Sequence, residues 1–225
     1  MLRKTACRMV IVAFGMGIMC FAVISSADEI TSHLNHVEGK QLSPSDIPTK
    51  PVREDRPKNW GMPLELEGVP NFYRVTDQLY RSGQPTKEGM DNLKRYGFET
   101  IISLRTFHSD REKIDTSGLG YERIPMQAWH FEEKDFIRFM QLVTNSRRHP
   151  VLVHCQHGAD RTGAAIAVYR IVVQEWHPFE AIREMKEGGY GYHAIWNSFV
   201  DGFFEKIDVA KLKTIAGKSH ATQSE

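Results

Sequence analysis

The residues whose types and spacing can do chemistry are His154-Cys155-Gln156-His157-Gly158-Ala159-Asp160-Arg161-Thr162-Gly163. A cysteine followed after five residues by Arg-Thr builds a phosphate cradle around a nucleophilic sulfur. The apolar Val151-Leu152-Val153 ahead of it reads as a buried strand, and from Arg161 onward Ala164, Ala165, Ile166, Ala167, Val168, Ile171 and Val172 read as a helix. Cys155 therefore stands on a strand-to-helix turn. In such a turn converging backbone N–H groups form an anion nest and the helix N-terminus adds positive potential, favouring both a bound dianion and a thiolate. Arg161 completes the cradle, because a guanidinium grips two phosphoryl oxygens at once and an ammonium does not.

This arrangement predicts attack of the Cys155 thiolate on phosphorus, with charge spreading over three equatorial oxygens held by the loop amides and Arg161. Water then hydrolyses the cysteinyl phosphate, and neither metal nor cofactor is required. Cys155, Arg161, Asp160 and Thr162 are the candidate catalytic residues; Gln156, His157, Gly158, Ala159 and Gly163 are the candidate phosphate-binding ones. The Thr162 hydroxyl is placed to donate toward the departing sulfur or to cap the helix. His154 is read as orienting the loop, and Gly158 and Gly163 as permitting tight turning and close approach. His157 lies either at the pocket mouth or on the open surface.

These residues resemble the signature of the cysteine-dependent tyrosine and dual-specificity phosphatases: His-Cys, five residues, Arg-Ser/Thr-Gly, met at His154, Cys155, Arg161, Thr162 and Gly163. The resemblance extends to Asn71-Phe72-Tyr73-Arg74-Val75 and to Leu79-Tyr80-Arg81-Ser82-Gly83-Gln84-Pro85, as in compact bacterial members, and covers about Trp60 to Phe204. It implies an α/β fold with a mostly parallel central sheet flanked by helices, and hydrolysis of phosphorylated proteins or small phosphomonoesters. Gln156 and Ala159 stand where lipid-directed relatives carry lysines, which disfavours inositol headgroups.

One expected group is missing. The family's general acid is usually an aspartate on the loop before the helix that precedes the signature, and Ala128 stands at that position. The loop, Ile124 to Glu133, contains no aspartate, and the next is Asp135. Glu132, Glu133, His130 and Asp160 compete for the role, with Asp160 first because it lies within the loop that surrounds the phosphate. Each has a bland reading as well: acidic residues are common at helix starts, and Asp160 can simply hold Arg161. The missing acid motivates an alternative function, a phosphate-recognition module without turnover. A rhodanese-like sulfurtransferase is a further alternative, opposed by the Asp-Arg-Thr-Gly ending and the Arg81-to-Pro85 segment.

The elements that must position this loop follow from periodicity. Short strands are expected at Asn71–Val75, Gln78–Ser82, Phe98–Leu104 and Tyr121–Pro125. A helix starts at Pro85-Thr86 and stops at Gly97, and another carries Phe136, Phe139, Met140 and Val143. Two more are expected over Pro178–Lys186 and from Ala194 to about Ile215. Strands alternating with helices imply a parallel sheet. Arg105 and Arg81 are read as facing the pocket or forming structural ion pairs, and Gly188 to His193 as a glycine-aromatic loop walling the site.

The N-terminus has the layout of a secretory signal peptide: Arg3, Lys4 and Arg8, an apolar run from Met9 to Ile24, then Ser25-Ser26-Ala27. Cleavage after Ala27 and export, in a bacterium to the periplasm, are expected; the alternative is an anchor formed by residues 9–24. Cys7 and Cys20 fall within this leader, leaving Cys155 alone in the mature chain. Cleavage removes three of the 29 basic side chains, leaving 26 against 28 acidic ones and a formal charge of −2, which argues against a nucleic-acid partner. The proline-rich stretch 28–58 reads as an extended polar linker, 59–215 as the phosphatase domain and 216–225 as a disordered tail.

Overall fold

Val151, Leu152 and Val153 are all fully buried, yet they serve different cores: Val151 and Val153 pack on one side of a sheet and Leu152 on the other. Alternation of this kind, apolar on both faces, is the mark of a central strand covered twice. The computed structural model describes residues 41–107, 109–114 and 117–221. The expected leader, with Cys7, Cys20 and the run 9–24, lies outside them; among the described residues no helix is long and apolar enough to cross a membrane.

Among the described residues the strands are β1 (Met62–Pro63), β2 (Tyr73–Arg74), β3 (Leu79–Ser82), β4 (Thr100–Ser103), β5 (Gly120–Arg123) and β6 (Val151–His154). They form one sheet in the order β1-β2-β3-β6-β4-β5. The last four in that order run parallel, and β1 and β2 add an antiparallel edge. The helices are α1 (Lys87–Arg95), α2 (Arg111–Ile114), α3 (Glu133–Val143), α4 (Asp160–Val172), α5 (Pro178–Glu187), α6 (Asn197–Phe204) and α7 (Val209–Ala221). Residues of α3 and α4 share a core with Leu79, Ile102, Val151 and Val153, whereas α1 and α2 cover Tyr80, Ile101 and Leu152 from the opposite face. Helix α4 is buried over almost its whole circumference, from Thr162 to Val172, as befits a helix at the centre of the fold.

Three expectations change. Residues 41–58 are not a free linker: Ile47 is in the core, Glu65 N–H donates to Pro48 O at 2.8 Å and Lys50 N–H to Pro63 O at 3.0 Å. Polar composition concealed one apolar anchor and a set of backbone hydrogen bonds. The helix expected from Ala194 to Ile215 is divided into a 3-10 turn at Ala194–Trp196, α6 and α7, the last restarting where Asp208 Oδ1 accepts Lys211 N–H at 2.9 Å. Helix α7 also carries the chain to Ala221, through much of the expected tail; residues 222–225 lie outside the described ones.

A buried ion pair locks the elements behind the signature together. Arg170 of α4 donates to both carboxylate oxygens of Glu184 in α5, at 2.8 and 2.9 Å, and lies over the Trp176 ring. Glu184 Oε1 also accepts Gly61 N–H at 2.7 Å and the Tyr190 hydroxyl at 2.8 Å. Burial alone would raise the Glu184 pKa, but Arg170 and these donors outweigh it and hold the group below the usual carboxylate range. Removing one member of such a pair strands the other. Arg170→Met is therefore expected to lose about 3–5 kcal/mol of unfolding free energy in urea titrations.

Candidate active site

β6 ends at His154, and the chain turns before α4 begins at Asp160. The turn carries Cys155, only 2% exposed, whose Sγ accepts the Gly158 N–H at 3.3 Å. Gly158 has a φ of +75°, and a Cβ there would stand 2.5 Å from Ser82 C and O and from Gly83 N. Only glycine satisfies both the left-handed backbone and the contact with the end of β3. Gly163 has a different reason: its Cβ would come within 2.8 Å of Met185 Cγ, where α4 and α5 pack closely. The turn is tied down from outside by Gln84 N–H to Gln156 O at 3.1 Å and by Asn71 Nδ2 to His157 O at 2.8 Å. Ala159 is buried, while the Gln156 and His157 side chains are exposed.

Arg81 lies behind this turn. It is 1% exposed, donates from Nη2 to Gly158 O at 2.6 Å, and stacks 3.6 Å from the centre of the Tyr190 ring. Among the described residues no carboxylate comes within ion-pair distance of it, so the structural ion pair considered from the sequence is not formed. Burial pulls its pKa down, and the nearby Tyr190, Glu184 and Cys155 pull it back up. A cation held in a poorly solvated place projects its field much further than one at the surface. Its reach includes Cys155.

Asp110, which the sequence reading passed over, fixes the other side. It is fully buried on the loop after β4, accepts from Gln84 Nε2 and from Ser103 Oγ at 3.0 Å, and has His154 Nε2 3.3 Å from its Oδ2. The other ring nitrogen of His154 sits 3.1 Å from Cys155 O. Burial would raise the Asp110 pKa, but the His154, Gln84 and Ser103 contacts prevail and hold it well below the usual carboxylate range. The available signal was its place just past the C-terminal end of a buried parallel strand, where α/β sheets gather functional groups.

Arg161 reaches between loops, with Nη1 3.4 Å from both Leu104 O and Met126 O. Arg105 uses its carbonyl instead, as acceptor for Arg123 Nε at 3.2 Å. Thr162 is fully buried, and among the described residues its hydroxyl has no hydrogen-bond partner; no bond to the sulfur is formed.

The acid candidates separate. Glu132 is engaged by Lys134 at 2.6 Å and Glu133 by Lys211, both at the surface. His130 is exposed, and Ala128 stands on the same loop with no titratable group. Asp135 is buried in the first turn of α3, where burial pushes its pKa up. Asp160 is 8% exposed and accepts twice from His193, from its backbone N–H at 3.0 Å and from Nδ1 at 2.8 Å. The glycine-aromatic loop is thereby fastened to the signature.

A buried sulfur on the turn into a central helix, holding the Gly158 N–H and followed by a guanidinium at the parallel end of the sheet, defines the class of cysteine-dependent phosphatases. The chain belongs to the family described as DSP-PTPase phosphatase fused to NAD+ Kinase, matched over residues 67–189. It is 35% identical over 122 residues to the dual specificity protein phosphatase TpbA of Pseudomonas aeruginosa, a match covering 54% of this chain and 56% of that protein. The chain thus spans little more than half the length of this relative. The crystal structure of P. aeruginosa TpbA in complex with pTyr superposes with a TM-score of 0.63 at 28% identity, covering 72% of this chain and 98% of that one. The inositol diphosphatase DSP5 of Arabidopsis thaliana is 27% identical over 154 residues, covering 64% of this chain and 72% of that protein.

Asp110 provides a pH test of this scaffold. Its folded pKa lies below its unfolded one, so the ionised carboxyl stabilises the fold at neutral pH and that contribution fades as pH falls below about 4. Asp110→Asn is expected to unfold at lower urea than the wild type at neutral pH, with the gap narrowing in acid.

Proposed function

We propose that this protein hydrolyses phosphomonoesters through a cysteinyl-phosphate intermediate, with phosphotyrosine side chains of proteins as the preferred substrates. The observation that carries the reading is the Gly158 N–H donated to Cys155 Sγ at 3.3 Å. The amide that reaches the sulfur belongs to the turn whose N–H groups would hold the equatorial oxygens of a phosphoryl group. Attack moves a sulfur electron pair to phosphorus while the ester oxygen leaves; water then attacks phosphorus, and sulfur departs as thiolate. Arg161 supplies the two-pronged contact that follows charge onto the equatorial oxygens.

The preference for phosphotyrosine rests on the rim. Phe107, Trp129 and Ile195 are exposed at 80%, 54% and 82%, and each follows within a few residues a position hydrogen-bonded to the signature: Leu104, Met126 and His193. Phe107 follows β4, Trp129 follows β5, and Ile195 follows the loop that His193 ties to Asp160. Exposed apolar side chains on segments tied to a buried anion site suit an aromatic ester on a peptide better than a polyanionic headgroup. The complex of TpbA with pTyr supports the same choice. Export with cleavage after Ala27 belongs to this proposal and rests on the basic, apolar and small-residue segments of residues 1–27.

Cys155→Ser is expected to abolish turnover of phosphotyrosyl peptides while still binding them, measured by phosphate release and by calorimetry; retained turnover overturns the covalent mechanism. Arg161→Lys keeps the charge but not the fork, and kcat/KM should fall about 10²–10³-fold. Mass measurement of the secreted protein is expected to show an N-terminus at Asp28, and an intact leader would show an anchor instead.

A further inference from the structure

A phosphatase of this kind needs a proton for the departing oxygen, and residue 128 is alanine. Asp160 accepts hydrogen bonds at both carboxylate oxygens, from His193 N–H at 3.0 Å and from His193 Nδ1 at 2.8 Å. Both oxygens of this carboxyl are taken up by His193 rather than left free. What it does instead is fix the partner imidazole: with Nδ1–H directed at a carboxylate, Nε2 becomes the nitrogen that exchanges protons with other groups.

His193 is placed for that exchange. Its side chain is 49% exposed, its ring centre lies 5.7 Å from that of His157 on the signature turn, and Asn71 Nδ2 bridges His157 O and Tyr190 O at 2.8 and 2.9 Å. The loop from Gly188 to His193 is thus pinned against the phosphate cradle at three points. Tyr190 fixes its base through Glu184 and the Arg81 stack. The His193 and His157 side chains themselves lie at the exposed edge of this arrangement.

We propose that His193 is the proton-transfer residue of the reaction, a catalytic residue, and that Asp160 is its positioning residue. This rests on the phosphatase reading above. In the first step the sulfur–phosphorus bond forms as the phosphorus–oxygen ester bond breaks, and the oxygen takes the electron pair together with the Nε2 proton of imidazolium. In the second step the neutral Nε2 takes a proton from the attacking water as the sulfur–phosphorus bond breaks. Inorganic phosphate leaves, and the imidazolium and thiolate are restored.

The test is a leaving-group series of aryl phosphates from phenyl through 4-nitrophenyl to 2,4-dinitrophenyl, run on wild type, His193→Asn, Asp160→Asn and His130→Gln. A good leaving group needs little protonation, so loss of the proton donor falls on the poor ones. His193→Asn is expected to lose about 10²-fold in kcat/KM on phenyl phosphate and only a few-fold on the dinitrophenyl ester. Asp160→Asn should show the same slope in weaker form, with vanadate affinity and melting temperature near wild type for both. Equal loss across the series in His193→Asn, or no loss, overturns the proposal. So does a selective loss confined to Asp160→Asn or to His130→Gln. If the wild type hydrolyses none of the esters, the phosphatase reading itself fails; if it hydrolyses them all and His193→Asn shows no selectivity, only the present inference does.

Discussion

The proposed phosphoryl transfer needs negative charge held away from bulk water at Cys155, and the surrounding residues are arranged around that constraint. A buried anion is tolerated only where donors and fixed positive potential replace its hydration. Here the replacement comes from the Gly158 amide, the N-terminus of α4 and Arg81 behind the turn. Arg81 is the least obvious of these. Its hydrogen bond to Gly158 O couples a buried cation to the residue whose N–H reaches the sulfur, so the strand β3 and the catalytic turn are electrostatically one unit.

The supporting polar groups are layered beneath that unit. Asp110 and His154 hold the carbonyl side of Cys155, and the Arg170–Glu184 pair holds Tyr190, which in turn faces Arg81. Such networks stabilise a fold only when nearly every member is satisfied. Their value here lies in fixing loop positions. Three loops leaving the parallel ends of the strands, and a fourth after α5, converge on one small turn.

How much of this was legible in the sequence depended on whether a feature is local. The strand, turn and helix around Cys155 are contiguous, and their apolar pattern and glycine placement displayed them directly. Gly158 was readable as a turn residue, although the reason no side chain fits, the proximity of Ser82, is a tertiary contact. Asp110 was not readable, because its importance lies in contacts with Gln84 and His154, distant in the chain, as well as with the nearer Ser103. His193 was seen only as the end of an aromatic loop, since its tie to Asp160 spans 33 residues. Residues 41–58 misled for the complementary reason: prolines and charges dominate the composition, while backbone hydrogen bonds to residues 63 and 65 and a single buried Ile47 decide the outcome. The split of the C-terminal helix into α6 and α7 turned on a local cap at Asp208 that periodicity alone does not register.

The central claim is that Cys155 becomes covalently phosphorylated during turnover. Rapid acid quench of the enzyme at saturating aryl phosphate, followed by peptide mass spectrometry, measures this directly. A phosphoryl adduct on the peptide containing Cys155, formed within the first turnover and absent from Cys155→Ser, is the predicted result. Steady release of phosphate with unmodified Cys155, or an adduct on another residue, would contradict it.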